Sequence, residues 1–237
     1  MIDINLAFYS KNLIRDVSVR VYVPTGFNKD TDDIIYLFHG YMGNKNDWTN
    51  LGNAFNFSEE YKVALIMPSL ENSWAQNISG GYKYFDYLAY ECLDNVLNTF
   101  SWTNDNLYIA GLSMGGYAAL SIGLKRDIFK GIGTFSGVTD IVEKFSGSVP
   151  SVMENNKKSV VKEDSIEYLL KQRKTKYSKI YQYCGTNDHL YKMNLKYQKI
   201  LKENSVIYLH KEDSRAHEWS AWTDALEDFI KFIKNNK

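Results

Sequence analysis

The sequence predicts an α/β fold with a mostly parallel, twisted sheet and helices on both of its faces. Three segments, 34–38, 63–67 and 107–110, are near-continuous apolar runs. Such runs are typical of parallel strands that are covered on both faces. Helical patterns lie between the predicted strands, and this alternation favours a parallel sheet whose strands are joined by right-handed crossovers.

The N-terminal segments predict an antiparallel addition to one edge of this sheet. Residues 17–23 alternate apolar and polar side chains and end at Pro24, which is typical of a half-buried strand. A second segment of this kind, 2–8, precedes them, and we expect the two to pair. The remaining strands are predicted at 131–135, 179–184 and 206–209.

Two long amphipathic helices are predicted, over 85–100 and 219–233, from apolar residues spaced three and four apart. A shorter helical pattern covers 165–171, and we expect Asp164 to cap it. This pattern lies within a polar, Lys-rich segment, 138–178, which is an insertion after the sixth strand. Long excursions are often lids or binding loops. The sequence leaves open whether this one is a cap that contacts substrate or a solvated insertion.

Length and charge limit the number of domains and the kinds of partner. At 237 residues the chain is long enough for one large core, so we expect a single domain over 1–237. It carries 28 Lys and Arg against 28 Asp and Glu, which argues against nucleic-acid or membrane-surface partners. No run of 18 apolar residues and no signal-peptide pattern is present, so we expect a cytoplasmic protein. A homo-oligomer and a removed export signal stay open.

The two cysteines, Cys92 and Cys184, lie in apolar sequence surroundings and have no C-x-x-C spacing. Cysteines in such surroundings usually act as small buried hydrophobic residues. We therefore expect buried thiols, and neither a disulfide nor a reactive thiol.

The segment Gly111-Leu-Ser113-Met-Gly115 matches the pattern G-x-S-x-G. A predicted strand, 107–110, leads into it, and a predicted helix, 114–124, leads out. A serine on so sharp a strand-to-helix turn has a strained backbone, and glycines two residues away on each side prevent a clash of Cβ atoms. This context predicts a nucleophilic Ser113 of the α/β-hydrolase kind. The alternative is an ordinary glycine-rich turn whose serine does no chemistry.

A second donor for the substrate oxygen is expected after the strand 34–38. That strand ends in His39-Gly40-Tyr41-Met42-Gly43, and hydrolases of this kind place an oxyanion donor in this loop. We predict that the backbone N–H groups of Tyr41 and Met114 form the oxyanion hole. We expect His39 to brace the loop and to take no part in the chemistry.

The acid of a catalytic triad should follow a strand downstream of the nucleophile. Strand 179–184 ends in Gly185-Thr-Asn-Asp188, which places Asp188 at the carboxyl edge of the sheet. Asp140 is the other candidate, but it leads into the polar insertion. We therefore predict Asp188 as the acid.

The base should be a histidine after the last strand. Among the four histidines, His217 lies in the loop before the C-terminal helix, with Trp219 and Trp222 nearby to fix the loop. His189 is expected to point away if the Asp188 carboxylate faces inward, and His210 falls within or at the end of a strand. We predict that His217 takes the Ser113 proton while Asp188 orients its imidazole.

These motifs together resemble the esterase D family, which includes tributyrin esterases, S-formylglutathione hydrolases, and feruloyl and acetyl-xylan esterases. The similarity runs from about residue 5 to 232 and rests on His39-Gly40, the segment 111–116, the segment 185–188 and His217-Glu-Trp219. It implies hydrolysis of short acyl esters without a metal or organic cofactor. S-formylglutathione hydrolases usually have a cysteine in the loop after His-Gly and a histidine after Ser-Met-Gly-Gly. In this chain that loop, 41–48, contains no cysteine and residue 117 is Tyr, which argues against thioester specificity.

Three functions are expected on these grounds. The first is a serine carboxylesterase for short acyl esters of small molecules. The second is an esterase for sugar acetyl or feruloyl groups, in which Trp74, Tyr82 and Tyr84 stack on the substrate, although these aromatics also suit loop packing. For either esterase the predicted substrate contacts are Trp48, Trp74 and Tyr82, although Trp48 also suits an anchor for the helix that follows it. The third is a hydrolase-fold binding protein without catalysis.

Overall fold

An eight-stranded sheet is the centre of the computed structural model, which describes residues 1–103, 105–172, 179–204 and 206–235. The order of the strands across the sheet is β1-β2-β4-β3-β5-β6-β7-β8. The strands are β1 Ile2–Ser10, β2 Arg15–Val23, β3 Asp33–Phe38, β4 Val63–Pro68, β5 Leu107–Leu112, β6 Gly131–Phe135, β7 Lys179–Tyr183 and β8 Tyr208–Lys211.

The pairing of the strands confirms the predicted sheet. β1 and β2 form an antiparallel pair, and β2 lies antiparallel on β4. From β4 to β8 every neighbouring pair is parallel. The antiparallel N-terminal pair therefore forms one edge, as predicted, and the parallel strands direct their carboxyl ends to one side of the molecule.

Ten helices in the described residues connect and cover these strands. They are α1 Asp47–Asn50, α2 Ala54–Tyr61, α3 Tyr84–Asp86, α4 Leu93–Phe100, α5 Met114–Lys125, α6 Ile141–Lys144, α7 Glu154–Ser159, α8 Ile166–Gln172, α9 Tyr191–Glu203 and α10 Trp219–Lys234. A π-helical segment, Tyr87–Cys92, joins α3 to α4, so the helix predicted over 85–100 is continuous but not α-helical throughout.

Two apolar cores lie on opposite faces of the sheet. The side chains of Ile34, Tyr36 and Phe38 point into one core, whereas Ile35 and Leu37 point into the other. Successive side chains of a strand face opposite sides, so a strand between two cores must be apolar at every position. This is the physical origin of the near-continuous apolar run in β3, all of whose residues are buried.

The insertion between β6 and β7 is tied to the loop that follows β4. The Asn156 side chain is buried and donates a hydrogen bond to the carbonyl of Ser73 at 2.9 Å. The Ser159 hydroxyl accepts one from the Ser79 N–H at 3.0 Å. The described part of the insertion is therefore packed onto the body of the protein and does not extend freely into solvent.

The structure corrects the expected cap of the helix at 165–171. The Ser165 hydroxyl accepts a hydrogen bond from the Tyr168 N–H, as an N-cap does, and the helix begins at Ile166. The Asp164 carboxylate instead accepts from the Val161 N–H and pairs with Lys125. The sequence pattern did not show which of two adjacent residues, Asp164 or Ser165, caps this helix.

The last strand also begins two residues later than predicted. Residues 206–209 were expected to form it, but the Val206 N–H donates to the Leu201 carbonyl and closes the end of α9. Ile207 is 63% exposed, so its apolar character does not indicate burial. Pairing with β7 covers Tyr208–Lys211.

Both cysteines are free and buried, as expected. Burial raises the pKa of the Cys92 thiol to about 11 and that of Cys184 to about 12. Thiols of this kind stay protonated at neutral pH and are poor nucleophiles. Among the residues described, no helix has both the length and the apolar character that crossing a bilayer requires.

One buried ion pair fixes the C-terminal helix to the sheet. The Lys234 ammonium lies 2.8 Å from the carboxylate of Asp33, whose side chain is fully buried. Lys234→Met should lower the free energy of unfolding by about 2 kcal/mol, because a buried carboxylate loses a cationic partner. Urea unfolding measures this. Lys231→Met removes an exposed pair with Glu227 on the same helix and should cost less than about 1 kcal/mol. Equal losses would contradict the assignment.

Candidate active site

Ser113 lies between β5 and α5 on a strained turn. Its φ of 53° and ψ of −116° are rarely adopted by residues other than glycine. The backbone N–H of Ser113 donates to the Phe135 carbonyl at 2.9 Å, which ties the turn to the end of β6. The sequence prediction of a strand, a sharp turn and a helix describes this segment correctly.

The glycines at 111 and 115 are required by contacts that leave no room for a side chain. A Cβ atom at 111 would overlap the carbonyl of Gly115, and a Cβ atom at 115 would overlap the carbonyl of His39. Both neighbours are backbone atoms that cannot move aside. The two glycines therefore allow α5 and the end of β3 to approach the turn that carries Ser113.

Ser113, His217 and Asp188 form one hydrogen-bonded chain, although 104 residues separate the first two. The His217 Nε2 lies 3.1 Å from the Ser113 hydroxyl, and its Nδ1 lies 2.7 Å from the Asp188 carboxylate. An ionised carboxylate only accepts, so Nδ1–H donates to it and Nε2 is left to accept the serine proton. The residues predicted from the sequence are thus brought together at the carboxyl edge of the sheet.

The Asp188 carboxylate is held in its ionised form. Burial raises the pKa of this group, but hydrogen bonds from His217 and from the Leu190 N–H outweigh burial and hold the pKa below its usual value. The Asp188 side chain is fully buried, so little water competes for these hydrogen bonds. A buried, ionised carboxylate stabilises a positive charge on the imidazole that it contacts.

The alternative acid, Asp140, caps α6 by accepting from the Glu143 N–H and lies in the insertion. His39 braces its loop, as expected. Its Nε2 accepts from the Leu70 N–H at 2.8 Å, so its Nδ1–H must donate to the Gly40 carbonyl at 2.7 Å. Burial lowers the pKa of His39, which suits this neutral form.

His189 does not point away from the site, and here the structure corrects the sequence interpretation. Its ring centroid lies 4.5 Å from that of His217, and its Nδ1 lies 3.5 Å from Asp188. The donor atoms of these three residues lie within 4.8 Å of one another, which is close enough to share a metal ion. Asp188 and His217 already bind each other, so a metal would have to break that hydrogen bond.

Arg215 ties the loop that carries His217 to the first turns of α10, and its backbone carbonyl meets the loop of Asp188, a role that the sequence analysis missed. Its guanidinium pairs with Asp213 at 2.5 Å and Asp224 at 2.6 Å and donates to the Ser220 carbonyl. The backbone also links the loops, because the Asn187 N–H donates to the Arg215 carbonyl. An Arg two residues before a predicted base was the only signal available in the sequence.

Aromatic rings support His217 from the other side. Trp222 packs edge-on against the imidazole at 4.8 Å, and Trp219 packs against both Trp222 and Trp48. The two tryptophans predicted to fix this loop do contact it. Trp48 is 1% exposed and donates its indole N–H to the Phe38 carbonyl, so it is an anchor within the core.

A cavity of about 610 Å³ opens above Ser113 and His217. Trp74 and Tyr41 line it, and the insertion contributes Val138, Lys144, Pro150 and Met153. Trp48, Tyr82 and Tyr84 are not among the lining residues, which corrects the expectation that Trp48 and Tyr82 contact substrate. Tyr82 and Tyr84 pack on each other. The polar insertion therefore forms part of the wall of the cavity.

The parallel sheet, the strained serine turn and the site at the carboxyl edge define the chain as an α/β-hydrolase. The family model described as "Putative esterase" matches residues 10–233. An acetyl esterase of Caldicellulosiruptor saccharolyticus is 30% identical, in an alignment that covers 98% of this chain and 98% of that protein. The chain belongs to this esterase family and is a carboxylic ester hydrolase, and the resemblance to the esterase D family is confirmed.

Two solved structures from Staphylococcus aureus have the same fold. The S-formylglutathione hydrolase FrmB is 26% identical and superimposes with a TM-score of 0.87. The fluorophosphonate-binding serine hydrolase FphF is 24% identical and also has a TM-score of 0.87. Each comparison covers 98% of both chains, so the described fold has a counterpart along nearly its whole length.

Arg215→Gln should lower kcat/KM about 10- to 100-fold, because a loop displaced by an ångström misaligns His217 with Ser113. Ester hydrolysis and the rate at which a fluorophosphonate labels the protein measure this effect. The thermal unfolding midpoint should change little, since the pairs of Arg215 are partly exposed. Lys211→Met, which removes a pair with Asp228 nearby, is the matched control and should retain activity. A normal labelling rate for Arg215→Gln would refute the positioning role.

Proposed function

We propose that the protein hydrolyses short-chain acyl esters through an acyl-enzyme formed on Ser113, with His217 as the base and Asp188 as the acid that orients it. The observation that carries this proposal is the hydrogen-bonded chain from the Ser113 hydroxyl through His217 to Asp188. In this chain the Ser113 hydroxyl faces Nε2 of His217, as proton transfer from serine to imidazole requires. Both residues line a cavity that can admit an ester.

The reaction begins when His217 Nε2 removes the Ser113 proton as Oγ attacks the acyl carbon. The imidazole becomes positively charged, and the Asp188 carboxylate stabilises that charge through Nδ1–H. His217 then donates the proton to the leaving alcohol, and the ester C–O bond breaks. A water molecule, deprotonated by His217, attacks the acyl-enzyme and releases the carboxylic acid and free Ser113.

The backbone N–H groups of Tyr41 and Met114 are the proposed oxyanion hole. Tyr41 belongs to the loop braced by His39, and Met114 is the first residue of α5. Neither N–H donates to an acceptor among the described residues, so both are available to a substrate oxygen. The amino end of α5 adds a partial positive charge where the oxyanion would form.

Short acyl groups are the proposed substrates, and the similarity to an acetyl esterase supports this choice. The alternative, a sugar-acetyl or feruloyl esterase, needs aromatic surfaces for the carbohydrate or cinnamoyl group. Of the aromatics considered for that role, only Trp74 lines the cavity. The cap role of 138–178 is supported by its lining residues. The cytoplasmic location and the oligomeric state stay predictions.

Ser113→Ala should lower turnover of 4-nitrophenyl acetate by about 10⁶-fold, because the nucleophile is lost. It should also abolish labelling by a fluorophosphonate probe, which the wild-type protein should bind in a 1:1 ratio. Ser146→Ala, which changes an exposed serine of the insertion, is the control and should be labelled normally. A wild-type protein that is folded but not labelled would support the binding-protein alternative.

The acyl specificity is tested by comparing kcat/KM for 4-nitrophenyl acetate, methyl ferulate and an acetylated xylo-oligosaccharide. We expect 4-nitrophenyl acetate to exceed the others by at least about 10-fold, because the similarity to an acetyl esterase favours a small acyl group. A preference for methyl ferulate or for the oligosaccharide would replace the short-acyl assignment by the alternative. The triad assignment would stand in either case.

A further inference from the structure

The wall of the cavity carries an amino group that none of the proposed catalytic steps uses. Lys144, the last residue of α6, lines the same cavity as Ser113 and His217. Its Nζ lies 5.9 Å from the centre of the Trp74 ring, which also lines the cavity. The ammonium therefore lies over Trp74, the one predicted substrate-contacting aromatic that lines the cavity.

The charge of Lys144 is not neutralised by an ion pair. Among the described residues, no carboxylate lies within 4.0 Å of its Nζ, and the two acids nearest in sequence, Asp140 and Glu143, pair with Lys196. Besides Lys144 and the two histidines, Asp47 is the charged residue that lines the described cavity. Its carboxylate accepts from the Asn44 N–H and lies against Gly43, within its own loop.

His189 lies on the same wall and adds a second polar group to it. Burial is the main cause that lowers the pKa of His189, and the nearby Asp188 carboxylate acts in the opposite direction. A neutral imidazole still offers an N–H donor. An ammonium and an imidazole on one wall are suited to a carboxylate or another anionic group.

We propose that Lys144 binds an anionic group of the substrate, so that the preferred esters are short esters that carry a carboxylate. The inference rests on the proposed function, because it concerns the cavity above Ser113. Coulomb attraction between an ammonium and a carboxylate falls with salt, and it is stronger in a partly enclosed cavity than at an open surface. The carboxylate belongs either to the acyl part or to the alcohol part of the ester.

Two matched pairs of substrates distinguish these positions. Monomethyl adipate against dimethyl adipate tests a carboxylate on the acyl side. The ester 4-acetoxybenzoate against methyl 4-acetoxybenzoate tests one on the alcohol side. For each pair, the measured quantity is the ratio of kcat/KM for the charged ester to kcat/KM for the neutral ester. In one of the two pairs we expect this ratio to be about 10-fold higher for the wild-type protein than for Lys144→Met. The change should lie mainly in KM, since the contact exists before and during the reaction.

Charge and position of the lysine are tested by three further variants. Lys144→Glu should lower the ratio beyond Lys144→Met, and Lys144→Arg should retain most of it. Lys158→Met removes an exposed lysine of the same insertion that does not line the cavity, and should leave the ratio unchanged. Raising the salt concentration should lower the ratio for the wild-type protein and leave that of Lys144→Met nearly constant.

The proposal is overturned if Lys144→Met leaves both ratios unchanged, or if Lys158→Met lowers them as much. These results are distinguishable from a failure of the proposed function. If the proposed function itself failed, the wild-type protein would hydrolyse neither the charged nor the neutral esters, and Ser113→Ala would not change the rate with any of them.

Discussion

The site depends on the close contact between the loop after β7 and the loop after β8. A Cβ atom at Gly185 would overlap the Arg215 carbonyl, so the two backbones touch directly at this point. The Thr186 N–H donates to the Asp213 carbonyl at 2.7 Å across the same junction. Because β8 is a short strand at the edge of the sheet, the strand alone does not fix its loop. Backbone contact and the Arg215 pairs fix it, and through it the distance between His217 and Asp188.

The strain at Ser113 is compatible with a stable fold because it is surrounded by rigid structure. A residue in such a conformation costs about 1–3 kcal/mol. β5 lies in the middle of the sheet, between β3 and β6, and all its residues are buried. The turn is therefore held from both sides, and relaxing Ser113 would displace a central strand or a helix packed against it. The same rigidity keeps the hydroxyl directed at His217 before any substrate binds.

Chain order was enough to predict that Ser113, Asp188 and His217 meet at one site, whereas prediction failed where the direction of a side chain decides. Ser113, Asp188 and His217 were identified because each comes after a predicted parallel strand, and such strands end at one edge. Trp48 and Tyr82 were expected at the substrate because they lie near loops predicted to surround it. The sequence around an aromatic residue in a loop does not show whether its ring packs into the core or faces the cavity. His189 shows the same limit, since adjacency to Asp188 does not reveal which way its ring points. The Arg215 network joins residues whose partners are set by loop conformation, which no periodic pattern encodes.

The two parts of the site come from different parts of the fold, and this separates chemistry from recognition. The proposed reacting groups lie on loops fixed by the sheet, whereas Lys144, Pro150 and Met153, which line the cavity, belong to the insertion. The insertion contacts the body through side-chain hydrogen bonds such as that of Asn156. Lys144 and Pro150 are exposed members of this wall, so substitutions there should alter its charge and shape without displacing Ser113 or His217. A polar, Lys-rich segment that is uninformative about the fold thus supplies part of the cavity wall, and under the proposed function it would help to select the ester that reaches Ser113.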